Sequence, residues 1–165
     1  MNTTITLVRH GETKWNVLGK FQGIKDIILS SEGILQAQYL NKRFQDKFDY
    51  IYTSPLKRAR ATAEIITKGS DIIPIVETDI IEIDFGQWEG LTIKEIETSF
   101  PKELVLWKTD EINGPMCGGE WNLKVASVRA KKAILKIAAE HQGKNIIIVE
   151  IGRASCRERV FAGCR

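Results

Sequence analysis

Leu7-Val8-Arg9-His10-Gly11-Glu12-Thr13-Lys14-Trp15-Asn16 is the stretch from which the rest of the chain can be read. The residues leading into it, Thr4 to Arg9, are short, apolar and rich in β-branched side chains, as in a buried strand. The run stops abruptly at His10-Gly11, where a loop begins. A strand that delivers an Arg and a His into a Gly turn brings two chemistries to one point, and the Gly lets the backbone turn tightly against a ligand. Neutral imidazole carries a lone pair for nucleophilic attack, and guanidinium donates paired hydrogen bonds while staying charged. Phosphoryl transfer needs both, because negative charge spreads over the oxygens of the moving group. An isolated His-Gly pair more often merely ends a strand, so the weight rests on what surrounds it.

Outward from this loop, strand and helix signals alternate. Ile34, Ala37, Leu40 and Phe44 recur at helical spacing behind Ser30 or Ser31 as a cap. Asp49 to Thr53 reads as a second strand, and Pro55 suits the first turn of a helix running to about Lys68. Ile72 to Val76 reads as an edge strand, since Pro74 cannot donate to a ladder. Thr92 with Glu95 forms a capping box, and Pro101 starts another short helix. Leu123, Ala126, Ala130, Ala133 and Ile137 mark one face of a longer helix, after which Gly143 precedes the unbroken apolar run Asn145 to Val149. Buried-type strands alternating with helices predict an α/β fold, a three-layer sandwich with a mainly parallel sheet. Sites in such sheets lie beyond the carboxyl ends of the strands, which directs attention to the loops after Arg9, Thr53 and Val149.

Composition narrows the function. The 165 residues carry 43% hydrophobic and 27% charged side chains and a net charge of only +3. Lys and Arg are scattered, so neither nucleic acid nor a membrane surface is implied as partner. No segment reaches the roughly 18 apolar residues of a membrane span. Met1 to His10 does not read as a signal peptide. Cys117, Cys156 and Cys164 have no metal-ligand spacing, and two His with scattered carboxylates form no ligand set, so no metal and no cofactor is expected. A cytoplasmic protein with reduced thiols is the expectation.

The opening string has the form R-H-G-E-[ST]-x-W-N, and with it the chain resembles the histidine phosphatase superfamily, the phosphoglycerate-mutase-like enzymes. Further segments match in order: Gln22-Gly23, Leu29 to Ala37, Tyr52 to Ala63, Glu82 to Gly90 and Gly118-Gly119-Glu120. The resemblance implies a phosphoglycerate-mutase-like fold and assigns roles. His10 is the nucleophile that becomes a phosphohistidine, and Arg9 and Arg58 bind the transferring group. Asn16 hydrogen-bonds that group, Gln22 and Gly23 border it beside Gly11, and Glu82 is the general acid. Glu82 has independent chemical support, since an alkoxide leaves poorly at neutral pH and a buried carboxyl with a raised pKa can protonate it. Glu89 and Asp84 are its rivals. Arg60, two residues from Arg58, should face elsewhere on the same helix. Trp15 and Trp88 read as packing residues, and His141 as a solvent-exposed residue at a helix end.

The expected function is a phosphatase that hydrolyses a small phosphorylated metabolite through a phosphohistidine. A phosphoglycerate mutase is the enzymatic alternative, and a non-catalytic phosphate-binding module the other. Short segments between motifs favour the phosphatase. Neither the particular substrate nor the oligomeric state can be read.

The pattern breaks at the end. The family places a second essential His after the strand matching Asn145 to Val149, but here Ile151 stands in that position. Glu150 to Val160 resembles the translation of a common short-read sequencing adapter. The tail also supplies four Arg against two Glu, and so two of the three net charges. The expectation is a partial histidine phosphatase-like domain over 1–149, incomplete at the C-terminus and impaired in activity, followed by a non-native tail over 150–165.

Overall fold

The computed structural model describes residues 2–115, 117–120 and 122–150. The helices and strands, in chain order, are β1 (Thr4–Val8), α1 (Lys14–Val17), α2 (Ser31–Phe44), β2 (Tyr50–Thr53), α3 (Lys57–Ile66), β3 (Ile75–Val76), α4 (Ile93–Ser99), α5 (Pro101–Thr109), α6 (Leu123–Glu140) and β4 (Asn145–Val149). Short 3-10 turns occupy Thr78–Ile80 and Gly86–Trp88. The strands form one parallel sheet in the order β1-β4-β2-β3.

The apolar run of β4 explains its central place. Side chains alternate across a strand, so a run without polar interruption must be covered on both faces. Ile147 and Val149 pack with Val8 and Ile51 against Ala59, Ala63 and Ile66 of α3, with Leu40 and Phe44 of α2 behind. Ile146 and Ile148 point the other way, with Leu7 and Tyr52, onto Ala133, Ile134 and Ile137 of α6. The three layers are thus α2 with α3, the sheet, and α6. Each Ile buried in this way contributes about 1.5–3 kcal/mol. A third cluster, centred on Ile83, Trp88, Ile96, Leu104 and Trp107, packs residues 83–126 beside the sandwich.

Several boundaries differ from the sequence reading. Helix α3 begins at Lys57, because Pro55 and Leu56 form a bend in which the Ser54 hydroxyl accepts the Leu56 N–H. It ends at Ile66, and the Thr67 N–H closes its last turn on the Ala63 carbonyl. β3 holds only the two residues after Pro74. Ser30, not Ser31, caps α2. Ile34 is 41% exposed, because Gly33 takes the inner position of that first turn. Of the expected tail over 150–165 only Glu150 is described; Ile151, Cys156 and Cys164 fall outside the described residues.

Candidate active site

The register brings three strand ends level: Val8 lies opposite Val149, and Val149 opposite Thr53. Arg9-His10, Ser54 and Glu150 therefore leave the sheet side by side. His10 is buried, and its Nδ1 lies 2.7 Å from the Gly11 carbonyl. That carbonyl can only accept, so Nδ1 carries the proton and Nε2 keeps its lone pair. Burial is the main cause that lowers the ring's pKa to about 4, with Arg58 and Arg9 adding to it against the Gly11 bond. The ring is thus neutral at physiological pH, with the Nε2 lone pair available.

Gly11 is needed for a reason the sequence did not disclose. A Cβ there would stand 2.3 Å from the Gly33 carbonyl oxygen, and a Cβ on Gly33 2.1 Å from that of Glu12. The His loop and the first turn of α2 meet backbone to backbone. Glu12 completes the junction: its carbonyl accepts the Ser30 N–H and its carboxylate the Ser30 hydroxyl. The Gly11 N–H is taken by the Thr62 hydroxyl, which itself donates to the Arg58 carbonyl.

Arg58 stands at the second position of α3 and is 0% exposed. Its two terminal nitrogens donate to the carbonyls of Lys25 and Gly23, both at 2.8 Å. Gly23 adopts φ +54°, and any Cβ on it would strike the Glu89 carboxylate. These bonds aim the remaining nitrogen, Nε, at the site: it lies 3.7 Å from Glu150 Oε2, while His10 Nε2 lies 3.9 Å from Glu150 Oε1. One carboxylate therefore sits between the imidazole and the guanidinium. Burial overrides the pull of Arg58 and pushes the Glu150 pKa up to about 8. Among the described residues, neither of its oxygens nor Arg58 Nε has a hydrogen-bond partner.

Arg9 is exposed, yet its charge acts on His10, Glu82 and Glu150 alike. Glu82 joins the same electrostatic group. Burial raises its pKa, opposed by the Ile83 N–H and by Arg58, Arg9 and Arg129. The rival carboxylates are engaged elsewhere. Glu89 accepts the N–H groups of Ile24 and Phe85, and Asp84 that of Gly86.

Asn16 and Gln22 are turned by Thr13, a buried residue to which the sequence reading gave no part. The Thr13 N–H holds Asn16 Oδ1 at 2.9 Å, and its hydroxyl holds Gln22 Oε1 at 2.7 Å. Both amide oxygens are thereby occupied, which leaves the NH2 group as the remaining polar end of each side chain. Thr13 was legible in principle as the cap of the short helix α1.

The control residues separate as their spacing requires. Arg60 lies on the surface, 3.8 Å from Glu64. Trp88 is buried in the third cluster, and Trp15 packs on Gly90. His141 departs from expectation: it is half-buried, stacked on Tyr50 at 3.9 Å and hydrogen-bonded to the Tyr52 hydroxyl at 2.8 Å. It closes the far end of the sheet, away from the strand ends that carry His10.

Level parallel strand ends thus bring a neutral imidazole and a buried guanidinium to one carboxyl group, the arrangement of an α/β enzyme site at the ends of parallel strands. Residues 5–155 match the family model of the histidine phosphatase superfamily (branch 1), and the chain belongs to that superfamily. Phosphoserine phosphatase 1 of Hydrogenobacter thermophilus is 34% identical over 148 residues, covering 88% of this chain and 69% of that protein. The uncharacterized phosphatase PhoE of Bacillus subtilis is 35% identical over 156 residues, covering 92% and 73%. Among solved structures, a putative alpha-ribazole-5'-P phosphatase from Escherichia coli superposes with TM-score 0.83 at 26% identity, covering 91% of this chain and 74% of its own. Phosphoserine phosphatase from Entamoeba histolytica, in complex with 3-phosphoglyceric acid, gives 0.79 at 34% identity, covering 91% and 74%. Among the described residues, no helix is long and apolar enough to cross a membrane.

Proposed function

We propose that the protein is a phosphatase of the cytoplasm that hydrolyses a small phosphorylated metabolite through a phosphohistidine on His10. One observation carries this reading: a single carboxylate lies within 3.9 Å of His10 Nε2 and 3.7 Å of Arg58 Nε, where a phosphoryl group would meet both. In the first step Nε2 attacks phosphorus as the bond to the leaving oxygen breaks, and Glu82 gives that oxygen its proton. In the second, Glu82 takes a proton from water, the hydroxide attacks phosphorus, and the bond to His10 breaks. Arg9, Arg58, Asn16 and Gln22 donate to the phosphoryl oxygens, with Gly11 and Gly23 at the rim. Relatives named for phosphoserine and alpha-ribazole phosphate support a small monoester as substrate.

We further propose that residues 1–149 are a partial histidine phosphatase-like domain and that 150–165 are a non-native tail. Ile151 replaces the family's second His, so this polypeptide transfers phosphoryl groups slowly. The test is release of p-nitrophenol from its phosphate ester with EDTA present, in this polypeptide, in Ile151→His, and in each with His10→Ala. Release that is faster in Ile151→His and lost in His10→Ala supports the reading. Tight phosphate binding without release in any of them would support a binding module instead.

A further inference from the structure

Glu82 is aimed by its backbone. The hydrogen bond to its carboxyl among the described residues comes from the N–H of its own neighbour Ile83, at 2.8 Å. Whatever fixes the path of residues 79–84 therefore fixes the acid. Two side chains from elsewhere do so. Arg129, on α6, donates to the carbonyls of Asp79 at 2.7 Å and Ile81 at 3.0 Å. The same guanidinium grips the Glu120 carboxylate through Nε and Nη2 at 3.1–3.3 Å. Glu120 in turn accepts the Asp84 N–H at 3.3 Å, and its own N–H donates to the Asp84 carbonyl at 2.9 Å. Glu82 thus lies between two anchored points, the carbonyl of Ile81 and the peptide of Asp84.

The strap carrying Glu120 is itself pressed onto this segment. A Cβ on Gly119 would stand 2.1 Å from the Asp84 carbonyl oxygen, and the Gln87 N–H donates to the Cys117 carbonyl at 2.8 Å. A merely stabilising surface ion pair would have no reason to bracket one residue in this way. Arg129 also reaches Glu82 through its charge, together with Arg58 of α3, Arg9 after β1 and Glu150 after β4.

We propose that Arg129 and Glu120 are positioning residues for the general acid: their paired side chains clamp residues 79–84 and so hold the Glu82 carboxyl toward the leaving oxygen. This rests on the phosphatase reading with Glu82 as acid. The clamp matters only when the leaving oxygen needs a proton, so the test compares leaving groups. Single-turnover release, with enzyme in excess, is measured for 2,4-dinitrophenyl phosphate and for an alkyl monoester such as β-glycerophosphate.

Arg129→Met should slow the alkyl ester at least about tenfold, a share of the 10²–10⁴ that positioned proton transfer contributes, and leave the dinitrophenyl ester within about twofold. Arg129→Lys keeps the charge but cannot span two carbonyls and a carboxylate, so it should fall between. In a Glu82→Gln background, Arg129→Met should add nothing further on the alkyl ester. Equal loss on both esters, or additivity with Glu82→Gln, would overturn the clamp. If neither ester gives His10-dependent release, the phosphatase reading fails, and a second measurement decides the clamp alone. Hydrogen exchange of the Ile83 amide, the donor to the Glu82 carboxyl, should quicken in Arg129→Met and less so in Arg129→Lys; an unmoved exchange rate in Arg129→Met overturns the proposal.

Discussion

The ring of His10 and the carboxyl of Glu150 are both held neutral by burial, and they respond to pH in opposite directions. His10 falls from the ordinary 6.5 to about 4, so its contribution to stability is complete above 6.5 and is lost as pH falls through 4. The difference is on the order of 3 kcal/mol. Glu150 rises to about 8, so its contribution is complete below the usual carboxylate range and is lost as pH rises through 8. The two windows overlap from the ordinary carboxylate value of 4.5 to the ordinary imidazole value of 6.5, where the opposing slopes cancel, so urea midpoints should be level there and fall from 6.5 to about 8. Glu150→Gln should abolish the fall above 6.5 and uncover the rise due to His10 below it; an unchanged alkaline slope would contradict the burial argument. On the proposed mechanism, the pH profile of p-nitrophenol release should hold to an acid limb near 4 in the free enzyme, well below that of an ordinary histidine.

At the scale of elements, the junction between the His loop and α2 is the least forgiving. Gly33→Ala has no room beside Glu12, so it should cost about 1–3 kcal/mol as an overpacked contact. Thr62→Val keeps the shape but strips the acceptor from the Gly11 N–H, a buried donor whose loss costs about 1–3 kcal/mol. Denaturant unfolding checks both. A near-neutral Gly33→Ala would show that the two backbones can part.

The strands were legible because each is a short apolar run with one meaning, and α6 because its period is long. The boundaries of α3 and the two-residue β3 were not, since a proline marks a break without saying on which side the next element starts. Residues 78–91 escaped for a different reason. Their 3-10 turns and the packing of Trp88 on Phe21 and Trp107 depend on partners far away in sequence. In the site, His10, Arg9 and Arg58 could be named from motif and chemistry. The aim of Arg58, set by two carbonyls of residues 23 and 25, and the bond-holding of Thr13 could not, because backbone acceptors leave no trace in residue types.

For the molecule as a whole, the chain spans 69–75% of the length of most of the relatives and structures it matches. Reading the genomic locus past the Val149 codon should give a frame that departs from Glu150 onward and places His at position 151. A continuous frame through Arg165 would end the proposal of a non-native tail. The level exit of β1, β4 and β2 has a consequence for how this protein loses its activity. No single loop owns the reaction: its parts come from segments far apart along the chain, and only the alignment of the three strands keeps them together. Slippage or splaying of one strand would scatter the reacting groups while most helices persist. On gradual denaturation, phosphate-ester cleavage should vanish at lower urea than the far-ultraviolet helix signal, making activity the earlier gauge of the sheet's integrity.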